Sequence, residues 1–318
     1  MNAMRNLILT RLCMAIVTLF LVSVIVFAAV RFLPGDIAQQ LLGQSATPEN
    51  IAALRSQLGL DTPGYISYFR WLGGLLQGDL GQSIATGREV SELISARLKN
   101  TLLLAGFTAI IAIPLGYLLG FLGALYKGSI FDRTSNVVAL AVVSLPEYFV
   151  AYVLVVFMAV HLAWFPALSR VSPSMGAFEY VERLVLPAMS LGLVIVAYIM
   201  RVTKSSILNV LGEDYIQMAQ MKGNSRARVM LVHALPNALA PIINVTAINL
   251  AYLVVGVVIV ETVFVYPGLG QLLVDSVTKR DMPVVQAVCL IFAAIYILVN
   301  AMADILIVLS NPRLRHAK

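Results

Sequence analysis

An all-α polytopic membrane protein with six transmembrane helices is what the sequence predicts, and three observations predict it. Hydrophobic residues make up 60% of the 318 residues and charged residues only 12%, about half the charged share of an average soluble domain. Mean hydropathy is +0.89. Six apolar stretches each approach the ~20 residues that a helix needs to cross a hydrocarbon core about 30 Å thick. A soluble fold could not hide this much apolar surface, and disorder or a coiled coil would need charges that the chain lacks.

The first stretch, Leu12–Val30, is uncharged. Its run is too long for a cleaved signal peptide and no A-x-A site precedes Arg31, so it is read as a retained span. The segment from Arg31 to Lys99 then forms the longest stretch between spans. Thr47-Pro48-Glu49 reads as an N-cap, a proline at N1 and an early acid. Ile51, Leu54 and Leu58 follow on one helical face, with Gly59 to close the end. Tyr65, Tyr68, Phe69, Trp71, Leu72, Leu75 and Leu76 predict a helix at the outer membrane surface, where amphipathic rings settle. Val90, Leu93, Ile94 and Leu98 form a stripe leading into the second span, Asn100–Tyr126. This outer segment is either a cap packed on the bundle or a docking surface for an outside partner.

The third span is Asn136–Val160, interrupted only by Glu147 after Pro146. A carboxylate at that depth is costly and must face protein or a water-filled cavity. It is a pathway contact for a cationic ligand group or a paired structural carboxylate. The fourth span, Leu184–Met200, is short and carries Pro187. The fifth, Leu239–Val260, starts near Pro241; its Asn244 and Asn249, with Asn300 of the sixth span, line a path or bond across helices. The sixth is Pro283–Leu309, with Asp304 near its end pairing with a basic loop residue.

Counting Lys and Arg on alternate sides sets the orientation. The side that collects both termini and the 127–135 and 201–236 loops holds 12 basic residues against three acids, and the other side holds 10 against 11. The positive-inside rule puts both termini in the cytoplasm, so the net charge of +6 reflects topology rather than nucleic-acid binding. Cys13 and Cys289 lie in apolar runs and read as packing residues, not a disulfide or metal site.

The 201–236 loop is the most informative stretch. Glu213 and Asp214 put acid in the first turn of a short helix. Tyr215, Met218 and Ala219 share one face at i, i+3, i+4, and Gly223 can take the left-handed position that ends the helix. Ser225 can cap a second helix ending near Pro236. The exposed face suits the groove of a partner, or the helix rests on the membrane surface.

At this loop the sequence resembles the inner-membrane permeases of ABC importers, whose cytoplasmic loop carries the pattern E-A-A-x3-G-x9-I-x-L-P. Gln217-Met218-Ala219, Gly223, His233, Leu235 and Pro236 occupy that spacing. Closer still is the dipeptide/oligopeptide/nickel branch, with DYxxxAxxKG (Asp214-Tyr215, Ala219, Lys222-Gly223) and HALxNALxP (His233 to Pro241). Further blocks match in order: Phe32–Asp36, Leu58–Pro63, Trp71–Ser83, Arg97–Ala105, Glu261–Val277, Arg280–Gln286 and Asn311–Arg315. Gln217 stands where the general pattern has an acid, Met218 where it has alanine, and Asn311 where the branch often has Asp.

The resemblance implies a MetI-like type I ABC importer permease fold in a bacterial inner membrane. It divides the chain into an N-terminal span with a periplasmic helical segment (1–99), a transmembrane domain with the coupling loop (100–310) and a cytoplasmic tail (311–318). It also implies the partners: a second homologous permease subunit, two cytoplasmic ABC ATPase domains, a periplasmic solute-binding protein and the lipid bilayer. Glu213, Asp214, Tyr215, Met218, Ala219, Lys222 and Gly223 become the ATPase-coupling element; Glu147, Asn244 and Asn249 become candidate pathway residues. The branch carries peptides, and similar permeases serve nickel, glutathione and other small solutes.

No G-x4-G-K-[ST], H-E-x-x-H or G-x-S-x-G occurs, so no P-loop, zincin or serine-hydrolase chemistry is expected. ATP would be used by a separate ATPase chain, with no cofactor, metal or catalytic residue in this one. His161, His233 and His316 lack metal-ligand spacing, and no basic–aromatic array suggests nucleic acid. A stand-alone secondary transporter would need an internal repeat and intramembrane coupling charges, which are not apparent.

Overall fold

A computed structural model describes residues 2–31, 39, 46–57, 61–172 and 174–310. Gly59, the blocks Phe32–Asp36 and Asn311–Arg315, and the side chains of Leu54, Leu58 and Asp304 lie outside the described residues. In chain order the helices are α1 (Asn2–Arg31), α2 (Pro48–Gln57), α3 (Gly64–Leu76), α4 (Val90–Leu125) and α5 (Ile130–Ser144). α6 (Glu147–Leu154) runs on as a wider π-helix over Val155–His161. α7 (Ala177–Leu211) and α8 (Asp214–Met221) follow. α9 (Arg226–Val263) contains a π-turn over Val229–Ala234, and α10 (Leu269–Thr278) and α11 (Met282–Ser310) are the last of the described helices.

Among the described residues, five helices are long and apolar enough to cross a membrane, and α5 with α6 makes a sixth span if the bent pair is counted as one. The third span is therefore not the rod that its apolar run predicted. α5 and α6 meet at a bend of 110°. Pro146 is the cause: it has no N–H to donate, and it drives Leu145 out of the helical region to φ −94°, ψ 140°. The pair also begins earlier than expected, because Ser129 Oγ accepts the Asp132 N–H (3.2 Å) and caps α5. A second boundary moves likewise. The loop helix expected to end near Pro236 continues without interruption into the fifth span, and its π-turn lies just before that proline.

α7 is the axis of the bundle. Of its most apolar stretch 61% is buried, against 11% for α1, so α7 is the core and α1 an outlying strut. Close approach of α4 makes this possible. A Cβ on Gly116 would lie 2.8 Å from Ile199, and one on Gly120 would lie 2.7 Å from the Met200 carbonyl oxygen. Only hydrogen fits at those two positions, so the backbones cross almost in contact, as small residues permit in membranes. Leu104, Ala112, Leu191, Ile195, Ile199, Leu253 and Val257 fill the middle of the core.

The aromatic helix predicted between the first two spans is α3. It lies along α1 and turns Tyr68 inward: the Tyr68 and Ser23 hydroxyls are 2.8 Å apart, and the Tyr68 and Phe27 rings meet edge-on at 5.3 Å. Tyr65 and Phe69 remain on its exposed side. The stripe that precedes span two also forms, with Val90 and Ile94 buried against Leu269, Val284 and Val288.

Candidate functional site

α8 is a short helix held between two turns. Glu213 precedes it in an extended conformation without capping through its side chain, and Asp214 puts its acid in the first turn. At the other end the Gly223 N–H bonds to the Gln220 carbonyl (2.9 Å), and Gly223 adopts φ +80°. That left-handed conformation favours glycine. Asn224 Nδ2 then closes on the Ala219 carbonyl (3.0 Å). Ser225 Oγ accepts the Arg228 N–H (3.4 Å) and starts α9.

The two faces of α8 differ sharply. Ile216 is fully buried and Ala219 packs beside it. Both lie against Ala124 at the end of α4, Ile207 of α7, and Val229, Met230, Ala234, Ala238 and Ile242 of α9. The outward arc carries Asp214, Gln217, Met218 and Met221, with Met221 80% exposed. Tyr215 and Lys222 flank it, both exposed. The face predicted from Tyr215, Met218 and Ala219 therefore divides: at about 100° per residue, Ala219 falls beside Ile216 rather than Met218. Its small side chain serves the seat of the helix, not its outer surface.

The candidate pathway residues separate similarly. Glu147 opens α6, half-buried, with its carboxylate facing the Tyr252 hydroxyl of α9. A Cβ on Gly256 would sit 3.3 Å from each of its oxygens. Asn249 is buried on the same stripe of α9, where its Nδ2 bonds back to the Val245 carbonyl (2.8 Å). Asn244 lies off that stripe and is exposed. Asn300 spends its amide on the Tyr296 carbonyl (2.9 Å). At the α8 end of α7, Lys204 pairs with Asp132 of α5. Asp132 also accepts from the Gly128 N–H (2.9 Å) and Asn136 Nδ2 (2.8 Å). A cleft of about 480 Å³ opens there, lined by Asn136, Tyr198, Arg201, Lys204 and Ser205 among others.

Sequence reasoning missed a fully buried carboxylate that accepts three hydrogen bonds. Glu261, fully buried at the end of α9, accepts from Thr101 Oγ1 (2.6 Å) and from the N–H groups of Gly270 (2.6 Å) and Gln271 (3.2 Å). It thus satisfies the free donors in the first turn of α10. Thr101 Oγ1 in turn accepts the Leu269 N–H (2.8 Å). A Cβ on Gly268 would lie 2.0 Å from the Glu261 carboxylate, and one on Gly270 would lie 2.5 Å from the Val258 backbone. The signal was present, since a glutamate stands ahead of Y-P-G-L-G.

Two further bonds reinforce this end. The Tyr266 hydroxyl donates to the Asn100 carbonyl (2.9 Å), and burial pushes that hydroxyl well above its usual range, so it stays a donor. Asp281, also buried, accepts from Ser83 Oγ and from the Ile84 N–H (3.0 Å), tying the segment before α4 to the start of α11.

Chemically, these groups bond and seat helices; no nucleophile is paired with a base among the described residues. His161 Nδ1 bonds the Val156 carbonyl (2.8 Å). Among the described residues no three His, Cys, Asp or Glu side chains gather as a metal would need. Cys13 and Cys289 are free thiols, the first exposed and the second half-buried.

Comparison with known proteins adds the following. Residues 112–316 match the family of binding-protein-dependent transport system inner membrane components, and residues 4–105 match the N-terminal region of such membrane components. The chain is 38% identical to a di/tripeptide transport system permease protein of Pseudomonas aeruginosa, covering 99% of this chain and 100% of that one. It is 37% identical to a glutathione transport system permease protein of Escherichia coli and 38% identical to one of Salmonella paratyphi A, each covering 98% of this chain and 100% of the relative.

Proposed function

Because the chain belongs to the binding-protein-dependent transport system inner membrane component family, we propose that it is the permease subunit of an ATP-driven peptide importer and forms half of the translocation path beside a second, homologous permease. Two ABC ATPase domains lie on the cytoplasmic side, where both termini and α8 sit. A periplasmic solute-binding protein delivers substrate to the opposite end. The substrate class follows the di/tripeptide relative; glutathione, itself a small peptide, is the runner-up on account of two others.

The observation that carries this reading is the construction of α8. Its outward arc exposes Met218 and Met221, a flexible apolar surface suited to a groove. Its inward arc rests on the ends of α4, α7 and α9 together. A displacement of α8 by a closing ATPase pair is thereby delivered to three spans at once, since close-packed apolar contacts transmit movement. Glu213, Asp214, Tyr215, Met218 and Lys222 form the docking surface and its rim. Ala219 and Gly223 set the position of the helix. Glu147 and Asn249 are assigned to the path.

Purification of the tagged chain from its native membrane tests this. The expected result is co-purification with an ATPase, and peptide uptake in proteoliposomes that needs ATP but survives collapse of the proton gradient. Uptake by the isolated chain without a nucleotide-hydrolysing partner overturns the reading.

A further inference from the structure

Two charged side chains left idle by the α8 mechanism stand at the ends of one partly open polar strip. Glu147 has no lysine or arginine partner among the described residues, although a carboxylate within a span is costly without compensation. It faces the Tyr252 hydroxyl, and Gly256 supplies the room it occupies. Tyr252 lies within electrostatic reach of Tyr198 on α7, and both rings are more than two-fifths exposed, at 44% and 41%. Tyr198 lines the cleft of about 480 Å³ that also holds Arg201 and Lys204. Lys204 is committed to Asp132. Arg201, one turn beyond Tyr198, is exposed and has no acidic partner among the described residues. The strip therefore runs from an uncompensated carboxylate, past two tyrosines, to an uncommitted guanidinium.

We infer that this strip is a subsite that reads the two ends of a peptide: Glu147 takes the amino-terminal ammonium, Arg201 takes the terminal carboxylate, and Tyr252 and Tyr198 contact the backbone between them. Both end groups belong to every free peptide whatever its side chains, so such a site holds peptides without selecting among them. Arg201 matches a carboxylate through its planar fork of donors. This inference rests on the reading of the chain as a peptide permease.

The test uses the whole complex in proteoliposomes, with uptake of a dipeptide and of its C-terminal amide measured at matched concentrations of loaded binding protein, so that differences in delivery cancel. Arg201→Gln is expected to lower kcat/KM for the free dipeptide about tenfold, the loss carried by one charge-assisted hydrogen bond, and to leave uptake of the amide unchanged, since the amide offers no carboxylate. Glu147→Gln is expected to lower uptake of both, and Glu147→Asp to restore most of it. Equal losses on free and amidated dipeptide for Arg201→Gln, or no loss on either, overturn the subsite; the Arg201 comparison decides alone if Glu147→Gln fails to assemble. Absence of any ATP-driven peptide uptake by the unaltered complex overturns the proposed function instead.

Discussion

α9 carries a different kind of joint at each of its two ends. At the Val263 end, Glu261, Thr101, Tyr266 and Asn100 lock α10 in place through buried, directional hydrogen bonds, and the Asp281–Ser83 bond ties the start of α11 to the segment before α4. At the Arg226 end, α8 shares an apolar cluster with Ile207, Val229, Met230, Ala234 and Ala238, with no side-chain hydrogen bond to those helices among the described residues. Hydrogen bonds hold one geometry and fail when it changes. Apolar contacts are non-directional and survive a small slide. On the proposed function, the contrast assigns the α10 end to the fixed frame and the α8 end to the part that moves.

The largest expected effect attacks the frame. Glu261→Ala leaves the Thr101 hydroxyl and the N–H groups of Gly270 and Gln271 without their acceptor, at a cost of about 1–3 kcal/mol for each buried donor left unpaired. Thermal unfolding of the detergent-solubilised complex should register it, and an unchanged melting temperature would break the comparison at its polar end. Ile216→Ala comes next. It empties a fully buried site under α8 and should cost about 2–4 kcal/mol, with ATP hydrolysis uncoupled from uptake.

A smaller effect is expected at Gly223, where a Cβ would meet nothing within 4 Å. The penalty is therefore purely conformational, about 1–2 kcal/mol for a β-branched residue at φ > 0. Gly223→Val should uncouple hydrolysis from uptake, whereas Gly223→Asn, which tolerates that conformation, should retain coupling; equal behaviour of the two would remove the turn from the account. Smallest in stability is Met221→Glu on the exposed arc, which should leave the unfolding free energy within about 0.5 kcal/mol of the parent. Yet it should weaken co-purification with the ATPase. Full ATPase recovery would mean that this arc is not the docking face.

Much of this architecture was legible in the apolar runs, because a bilayer imposes a length that a soluble core does not. What escaped was local. Pro146 and Glu147 stood in view, but the run of apolar residues on either side concealed the 110° break. Pro236 read as a stop, because an α-helix would lose a bond there; the wider turn over Val229–Ala234 precedes it instead. The short helix α8 and its Gly223 turn were recognisable from their spacing, but the side on which Ala219 falls needed the neighbours supplied by α7 and α9. Glu261 was overlooked because Thr101, which donates to it, stands 160 residues away, although Gly270 is only nine residues on.

The π-turn at the root of α9 has one more consequence. A π-turn winds one residue more into its loop than an α-helical turn does. On the proposed function, that surplus would work as slack between the handle and the shaft it drives. Removing a single residue from Val229–Ala234 would swing α8 by about 100° around the axis of α9, while Leu253, Val257 and the rest of the span kept their register. The seat of the motor would then point away from its engine, on a bundle that is otherwise intact.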